Sequence, residues 1–310
     1  MHYDIIGDIH GHAIELEELL EKMGYQLSGD GLTYQPPKGH QAIFVGDLID
    51  RGGRIRRVLE IVYHMVKRGD ALITMGNHEY NAICYYTKYN DEYLRPHDLK
   101  NNAQIAATDK FFRENPELKK CYLACFREMP LYLDLGELRI VHACWNQVDI
   151  EIIGERKLSD FEFLKQTTDP KTPEHRAIEN ILKGPEVKLP DQLQFKDKDN
   201  HTRTAVRVKW WGPLQNRSYR DLAFPPTGKI SAQTLPPPRE LPEIEPYFED
   251  FPPVFFGHYW LEAQKPSLVS PNLTCLDYSV ANEKCPHRFL AAYRWQGESA
   301  LNADNFFTYN

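Results

Sequence analysis

Tyr3-Asp4-Ile5-Ile6-Gly7-Asp8-Ile9-His10-Gly11 decides the reading of this 310-residue chain. An apolar run of strand character, Tyr3 to Ile6, ends in a carboxylate and an imidazole one residue apart, and flanking glycines let the backbone turn tightly there. The arrangement recurs four times. Ala42 to Val45 runs into Gly46-Asp47-Leu48-Ile49-Asp50-Arg51-Gly52-Gly53, and Ala71 to Met75 into Gly76-Asn77-His78-Glu79. Leu138 to Val141 runs into His142-Ala143, and Val254 to Phe256 into Gly257-His258. In α/β sheets ligands gather beyond the carboxyl ends of strands, so side chains spread from residue 8 to residue 258 are expected to converge in one polar, metal-binding pocket.

The residue types define what that pocket can do. Asp8 and His10 sit on the same side of a turn and can bind one cation. Asp47 occupies the matching place on the second strand, and Arg51 offers a fork for phosphate oxygens. Asn77 supplies a neutral carbonyl oxygen and His78 a titratable imidazole. Taken singly, an Asp after a strand is ordinarily a turn or helix-cap residue. Five such ends in this order point to a metal site.

Together, Gly7 to Gly11, Gly46 to Gly52 and Gly76 to Glu79 resemble the calcineurin-like metallophosphoesterases, nearest to the phosphoprotein-phosphatase-like branch that includes bacterial diadenosine tetraphosphatases. The resemblance covers residues 3–143 and resumes at 255–280. It implies an α/β (α+β) fold of two mixed β-sheets packed face to face with helices outside. It also implies that Asp8, His10 and Asp47 hold one metal, and that Asp47, Asn77, His142 and His258 hold a second, with Asp47 bridging. His78 is then the general acid, oriented by Asp50, and Arg51 the phosphate-binding catalytic arginine. Trp260 stands where many relatives carry a further metal-binding His, a loss normal for this branch. Ala143 replaces a usual glycine. Met75 and the segment Leu276 to Val280 differ from the eukaryotic protein phosphatases.

The chemistry fits independently of the resemblance. Two cations about 3.5–4 Å apart can share a water and bring its pKa from about 15.7 towards about 7, which makes a hydroxide nucleophile available. Oxygen and imidazole ligands without thiolate suit two divalent transition-metal ions, Mn²⁺ first, with Fe or Zn²⁺ as alternatives.

The chain carries a formal net charge of -7, which argues against bulk nucleic-acid binding and favours a small phosphorylated partner. No apolar stretch reaches the roughly 18 residues of a membrane span, and the start carries no cleavable leader, so a cytoplasmic protein is expected. The cysteines at 84, 121, 125, 144, 275 and 285 lack zinc-finger spacing and read as reduced structural thiols. Nothing here fixes the oligomeric state.

One domain over residues 1–310 is expected, because splitting it would divide the site. Helices are expected from Ala13 to Met23 and from about Arg54 to Lys67, each stopped by glycine, with parallel strands on either side. Helical insertions are expected at about 80–128 and 158–183. Nine prolines fall between Pro225 and Pro253 and imply a stiff, irregular excursion.

Tyr85, Tyr89 and Tyr93 would share one face if helical, to pack the insertion or to stack a base. Trp210 and Trp211 invite the same two readings. Arg54, Arg56 and Arg57 can reach further phosphates or simply face solvent. Arg207, Arg217 and Arg220 are candidates for a second phosphate-binding arginine. The expected function is metal-dependent hydrolysis of a small phosphorylated metabolite or dinucleoside polyphosphate. The alternatives are a Ser/Thr or Tyr protein phosphatase, or a non-catalytic scaffold of the same fold.

Overall fold

Strand register explains why the apolar runs are continuous rather than alternating. In the computed structural model, which describes residues 1–196 and 202–309, they belong to two sheets, and both faces of each are covered. Strands β1 (His2–Ile6), β2 (His40–Phe44) and β3 (Ala71–Ile73) pair in parallel, with Ile6 opposite Phe44 and Phe44 opposite Ile73. Strands β4 (Tyr132–Asp134), β5 (Arg139–Val141), β6 (Val254–Phe256) and β7 (Leu273–Cys275) form the second sheet, ordered β7-β6-β5-β4. Strands β8 (Leu290–Trp295) and β9 (Phe306–Tyr309) complete the first as β9-β8-β1-β2-β3, with β8 antiparallel to β1. Both sheets are therefore mixed, as expected.

Alternate residues point to different layers. Ile5, Ile43, Ile140, Phe255 and Tyr293 meet between the sheets, whereas Ile6, Phe44, Val141 and Phe256 pack in the apolar layer shared with the helices. Parallel strands buried on both faces carry near-continuous apolar sequence for this reason. Helices α1 (Ala13–Lys22) and α2 (Ile55–Arg68) make the crossovers. Gly69 ends α2 in the left-handed conformation, which glycine adopts without a Cβ penalty.

Helices α3 (Asn77–Tyr86), α4 (Leu99–Glu114) and α5 (Pro116–Glu128) form the first helical block, and α6 (Gln147–Ile153), α7 (Phe161–Thr168) and α8 (Pro173–Lys183) the second. The short α6 was not foreseen. Sequence periodicity also misplaced the tyrosine face: α3 ends at Tyr86, and Lys88–Tyr89 and Glu92–Tyr93 pair as an antiparallel ribbon. Tyr85 and Tyr93 instead enclose His97, with ring centroids 3.8 and 3.9 Å from it.

Residues 186–196 and 202–230 fold around a small apolar cluster of their own, including Val187, Val208, Tyr219 and Leu222, with one short α-helix among the described residues, α9 (Tyr219–Leu222). The proline-rich excursion follows, with a single 3₁₀ turn at Pro238–Glu240 as its regular element among the described residues. It is tied back by Tyr247, whose hydroxyl donates to Pro252 O at 2.6 Å and accepts from Arg139 on β5 at 3.0 Å. Among the described residues no helix is long and apolar enough to cross a membrane.

Candidate metal centre

Backbone strain marks the site before any side chain is considered. His10, Asp47, Asp50, Arg51, His258 and Trp260 all have φ between 46° and 72°. Such left-handed non-glycine residues cost about 1–3 kcal/mol each and persist only where surroundings over-determine them. Here the strand-end loops lock one another. Ile9 and His10 N–H both donate to Asp47 O, at 3.1 and 2.8 Å, and Gly52 N–H donates to His10 O at 2.8 Å. A Cβ on Gly46 would lie 2.3 Å from Gly76 N, so these two loops touch only because both residues are glycine.

The side chains converge in two groups, His10, Asp47 and His78 in one and Asp47, His142 and His258 in the other; within each group the ligand atoms lie within 4.8 Å of one another. Asp47 Oδ2 is 3.5 Å from His10 Nε2 and 3.4 Å from His142 Nε2. Asn77 Oδ1 is 3.1 Å from His142 Nε2 and 2.7 Å from His258 Nδ1. Asp8 falls outside both groups but borders them, because its Oδ2 accepts the His258 N–H at 3.0 Å. Gly257 makes room for it, since a Cβ there would lie 1.9 Å from Asp8 Oδ1.

Ring orientation follows from the carbonyl partners. His10 Nδ1 faces Ile49 O at 3.0 Å and His142 Nδ1 faces Val45 O at 2.8 Å. A carbonyl only accepts, so Nδ1 carries the proton and Nε2 points inward, the arrangement usual for metal-ligating histidines. Asp8 Oδ1, His10 Nε2 and His258 Nε2 are buried without a hydrogen-bond partner. Buried acceptors are rarely left so, and these three suit a cation.

Electrostatics divides the rings. Burial, then the neighbouring His78, lowers His10 to about 4, and burial with Arg207 holds His258 well below the usual range, so both rings stay neutral. Burial would raise Asp47, but His142 and His78 outweigh it and hold the carboxyl well below its usual value. Burial would lower His142, yet Asp47 and Asp8 raise it to about 10.

His78 faces the centre from the side. Its Nδ1 is 2.5 Å from Asp50 Oδ2 and its Nε2 is 3.9 Å from Asp47 Oδ2. Burial opposes protonation of this ring, but Asp47 and the Asp50 hydrogen bond prevail and raise its pKa. Arg51 is exposed, and its guanidinium carbon lies 5.2 Å from the centre of the Trp260 ring.

A family model described as calcineurin-like phosphoesterase matches residues 1–229. The chain belongs to the calcineurin-like phosphoesterases. The family depends on a dinuclear metal centre, and candidate metal-binding residues are present in this member.

Among similar proteins, a bis(5'-nucleosyl)-tetraphosphatase PrpE [asymmetrical] of Oceanobacillus iheyensis is 36% identical over 144 residues, covering 46% of this chain and 55% of that protein. The protein of the same name from Geobacillus sp. is 34% identical over 191 residues, covering 57% of this chain and 71% of that one. The match to the first thus spans little more than half its length. A solved protein serine/threonine phosphatase from Saccharomyces cerevisiae, with similarity to human phosphatase PP5, superposes with a TM-score of 0.52 at 12% identity, covering 100% of this chain and 79% of that one. That likeness concerns the fold alone.

Three supporting residues of this phosphoesterase were not singled out in the sequence. Glu79 is fully buried and accepts four backbone N–H groups, those of Asp47 (2.9 Å), Leu48 (2.8 Å), Ile49 (3.3 Å) and Gly76 (3.1 Å). Its position three residues after the α3 N-cap is a legible capping signal. Thr108 on α4 donates from its hydroxyl to Asp50 Oδ1 and accepts the Asp50 N–H at 3.0 Å; no local pattern announces this contact across 58 residues. Asp277 accepts the Trp260 and Ser279 N–H groups at 2.7 and 3.0 Å.

The remaining candidates sort by location. Arg57 pairs with Glu17 and Arg56 with Glu60, both on helix surfaces. Trp210 is fully buried, donating to Ala143 O at 3.1 Å, and is a packing residue. Of Arg207, Arg217 and Arg220, Arg207 is anchored by its Nε to Lys183 O at 2.7 Å and is near enough to influence His258. Arg220 is exposed on α9.

Proposed function

We propose that this chain is a metal-dependent phosphoric-ester hydrolase whose substrate is a dinucleoside polyphosphate. The observation that carries the reading is Asp47, one oxygen of which lies within 3.5 Å of both His10 Nε2 and His142 Nε2, so that one carboxylate belongs to both side-chain groups. Asp8, His10 and Asp47 would hold one ion, and Asp47, Asn77, His142 and His258 the other, with Mn²⁺ our first choice and Fe or Zn²⁺ next. Such a pair supplies Lewis acidity towards phosphoryl oxygens and an acidified water as nucleophile.

The protein's own groups do the rest. Arg51 binds phosphoryl oxygens and offsets charge that builds as the bond to the leaving group lengthens. His78, protonated and held by Asp50, gives its Nε2 proton to the leaving oxygen as the phosphorus–oxygen bond breaks and the water oxygen bonds to phosphorus. Arg207 is the second phosphate-binding arginine. The substrate assignment draws on the named relatives, and an asymmetric cut of a four-phosphate bridge would release a nucleoside monophosphate and a triphosphate. One catalytic domain over residues 1–310 carries the activity. We place it in the cytoplasm, where six unpaired cysteines are at home.

The test is to incubate the Mn²⁺-loaded protein with diadenosine tetraphosphate, phosphopeptides and an aryl phosphate, and to measure bound metal. Close to two ions per chain and unequal nucleotide products are expected, and Asp47→Asn should lose both metal retention and turnover. Absence of bound metal under saturating Mn²⁺, or an Asp47→Asn protein as active as its parent, sinks the mechanism. Turnover of phosphopeptides alone would replace the substrate.

A further inference from the structure

Beside the metal centre the surface opens into a cleft of about 760 Å³, within the range of pockets that take small molecules. One wall comes from the small apolar unit described above, through Phe195, Arg207 and Phe224, and the other from the loop that begins at Trp260. Trp260 joins cleft and centre: its ring lies 6.0 Å from that of His10 and 5.2 Å from the guanidinium carbon of Arg51. At another part of the lining, Lys229 Nζ lies 5.7 Å from the centre of the Phe195 ring. Aromatic faces and cations therefore alternate along it.

The charge balance is also local. Among the described residues, Arg203, Arg207 and Lys229 line the cleft against Glu186 and Glu262, a positive excess in a chain of net charge -7. Partly exposed aromatic rings set among cations are what a nucleobase followed by phosphates needs, because every base has a stackable face and the cations follow the backbone. A peptide would call instead for backbone donors and acceptors along an open edge, and the described strands at the cleft are only two or three residues long.

We propose that this cleft holds one nucleoside of the dinucleotide, its base against Trp260 and its phosphates directed between Arg207 and the metal centre, with Lys229 adding charge further out. The inference rests on the hydrolase reading above and names the part of the molecule that recognises more than phosphate.

The experiment uses the Mn²⁺-loaded full chain and two readouts. Binding of a non-hydrolysable methylene analogue of diadenosine tetraphosphate is measured by calorimetry, and KM and kcat are measured with diadenosine tetraphosphate, p-nitrophenyl phosphate and a phosphopeptide. Trp260→Leu should weaken the analogue and raise KM for the dinucleotide about tenfold, or about 1.4 kcal/mol, with a much smaller effect on the aryl phosphate. Trp260→Phe, which keeps a stacking face, should recover most of the loss. Lys229→Glu, at an exposed lysine of a cleft lining that does not include Arg51, should weaken the analogue severalfold. It guards against an effect passed through Arg51.

Equal losses on aryl phosphate and dinucleotide, wild-type affinity in both variants, or losses confined to the phosphopeptide would overturn the inference. A parent that binds the analogue in a Trp260-dependent way without hydrolysing the dinucleotide would uphold the cleft and remove the hydrolase reading. A parent that hydrolyses it independently of Trp260 and Lys229 would do the reverse.

Discussion

Glu79 binds backbone rather than substrate, and its four N–H partners belong to the two loops that carry Asp47 and Asn77. Burial, then the nearby Asp47, pushes its carboxyl up to about 7. Glu79→Ala would leave those donors without an acceptor in a dry interior, so a loss of roughly 4 kcal/mol in urea unfolding is expected; a change below about 1 kcal/mol would show that water replaces the carboxylate easily. Thr108 works one step further from the chemistry, on Asp50 rather than on His78. If Asp50 orients a proton donor, His78→Asn should slow alkyl phosphates far more than activated aryl phosphates, whose leaving oxygens need no proton. Thr108→Val should repeat the pattern more weakly, and Thr108→Ser should restore it. Equal losses on both substrate types would remove the general-acid role.

The candidate metal ligands were legible because each follows a strand, at a glycine-marked turn in every case but His142, which Ala143 follows. Thr108 was not, because its partner is 58 residues away and a threonine inside a helix carries no signal of its own.

At the scale of elements, continuous apolar runs located the strands but not which sheet each joins. That depends on pairings such as Phe255 with Ile140 across β6 and β5, to which local pattern is blind. Periodicity likewise carried the tyrosine face past Tyr86, where a ribbon turned by Asn90 and Asp91 in left-handed conformation takes over. Phe255 on β6 faces Tyr293 on β8 with ring centroids 5.1 Å apart, one contact of many that join the two sheets. Phe255→Ala should cost about 3–5 kcal/mol, as large-to-small changes at dry sites do, and lower activity chiefly by reducing the folded fraction at assay temperature. Loss of metal at unchanged stability would mean that the strand serves mainly to aim Gly257 and His258.

For the whole molecule, the first sheet brings Asp8, His10, Asp47 and Asn77, and the second brings His142 and His258. A cation held by both sets would cross-brace the sandwich. Removing metal with a chelator should therefore lower the melting temperature reversibly, and metal at about a thousand times its Kd should contribute about 4 kcal/mol through linkage. An identical melting temperature with and without Mn²⁺ would show that the sheets hold the site without help. The middle of the chain was the least legible region at this scale. The cluster around Val187 and Tyr219 is assembled from ribbons and one four-residue helix, too short for any hydrophobic period to register.

The hydrogen bond from His258 N–H to Asp8 Oδ2 spans 250 residues. On the ribosome, Asp8, His10, Asp47, Asn77 and His142 all emerge well before the strand that delivers His258. An early cation would meet an unfinished cradle and hold on weakly. Full retention would await the docking of Val254–Phe256 beside Arg139–Val141, so loading would be deferred until most of the polypeptide has been made, and a chain broken off before that strand would be left metal-poor and open to proteolysis.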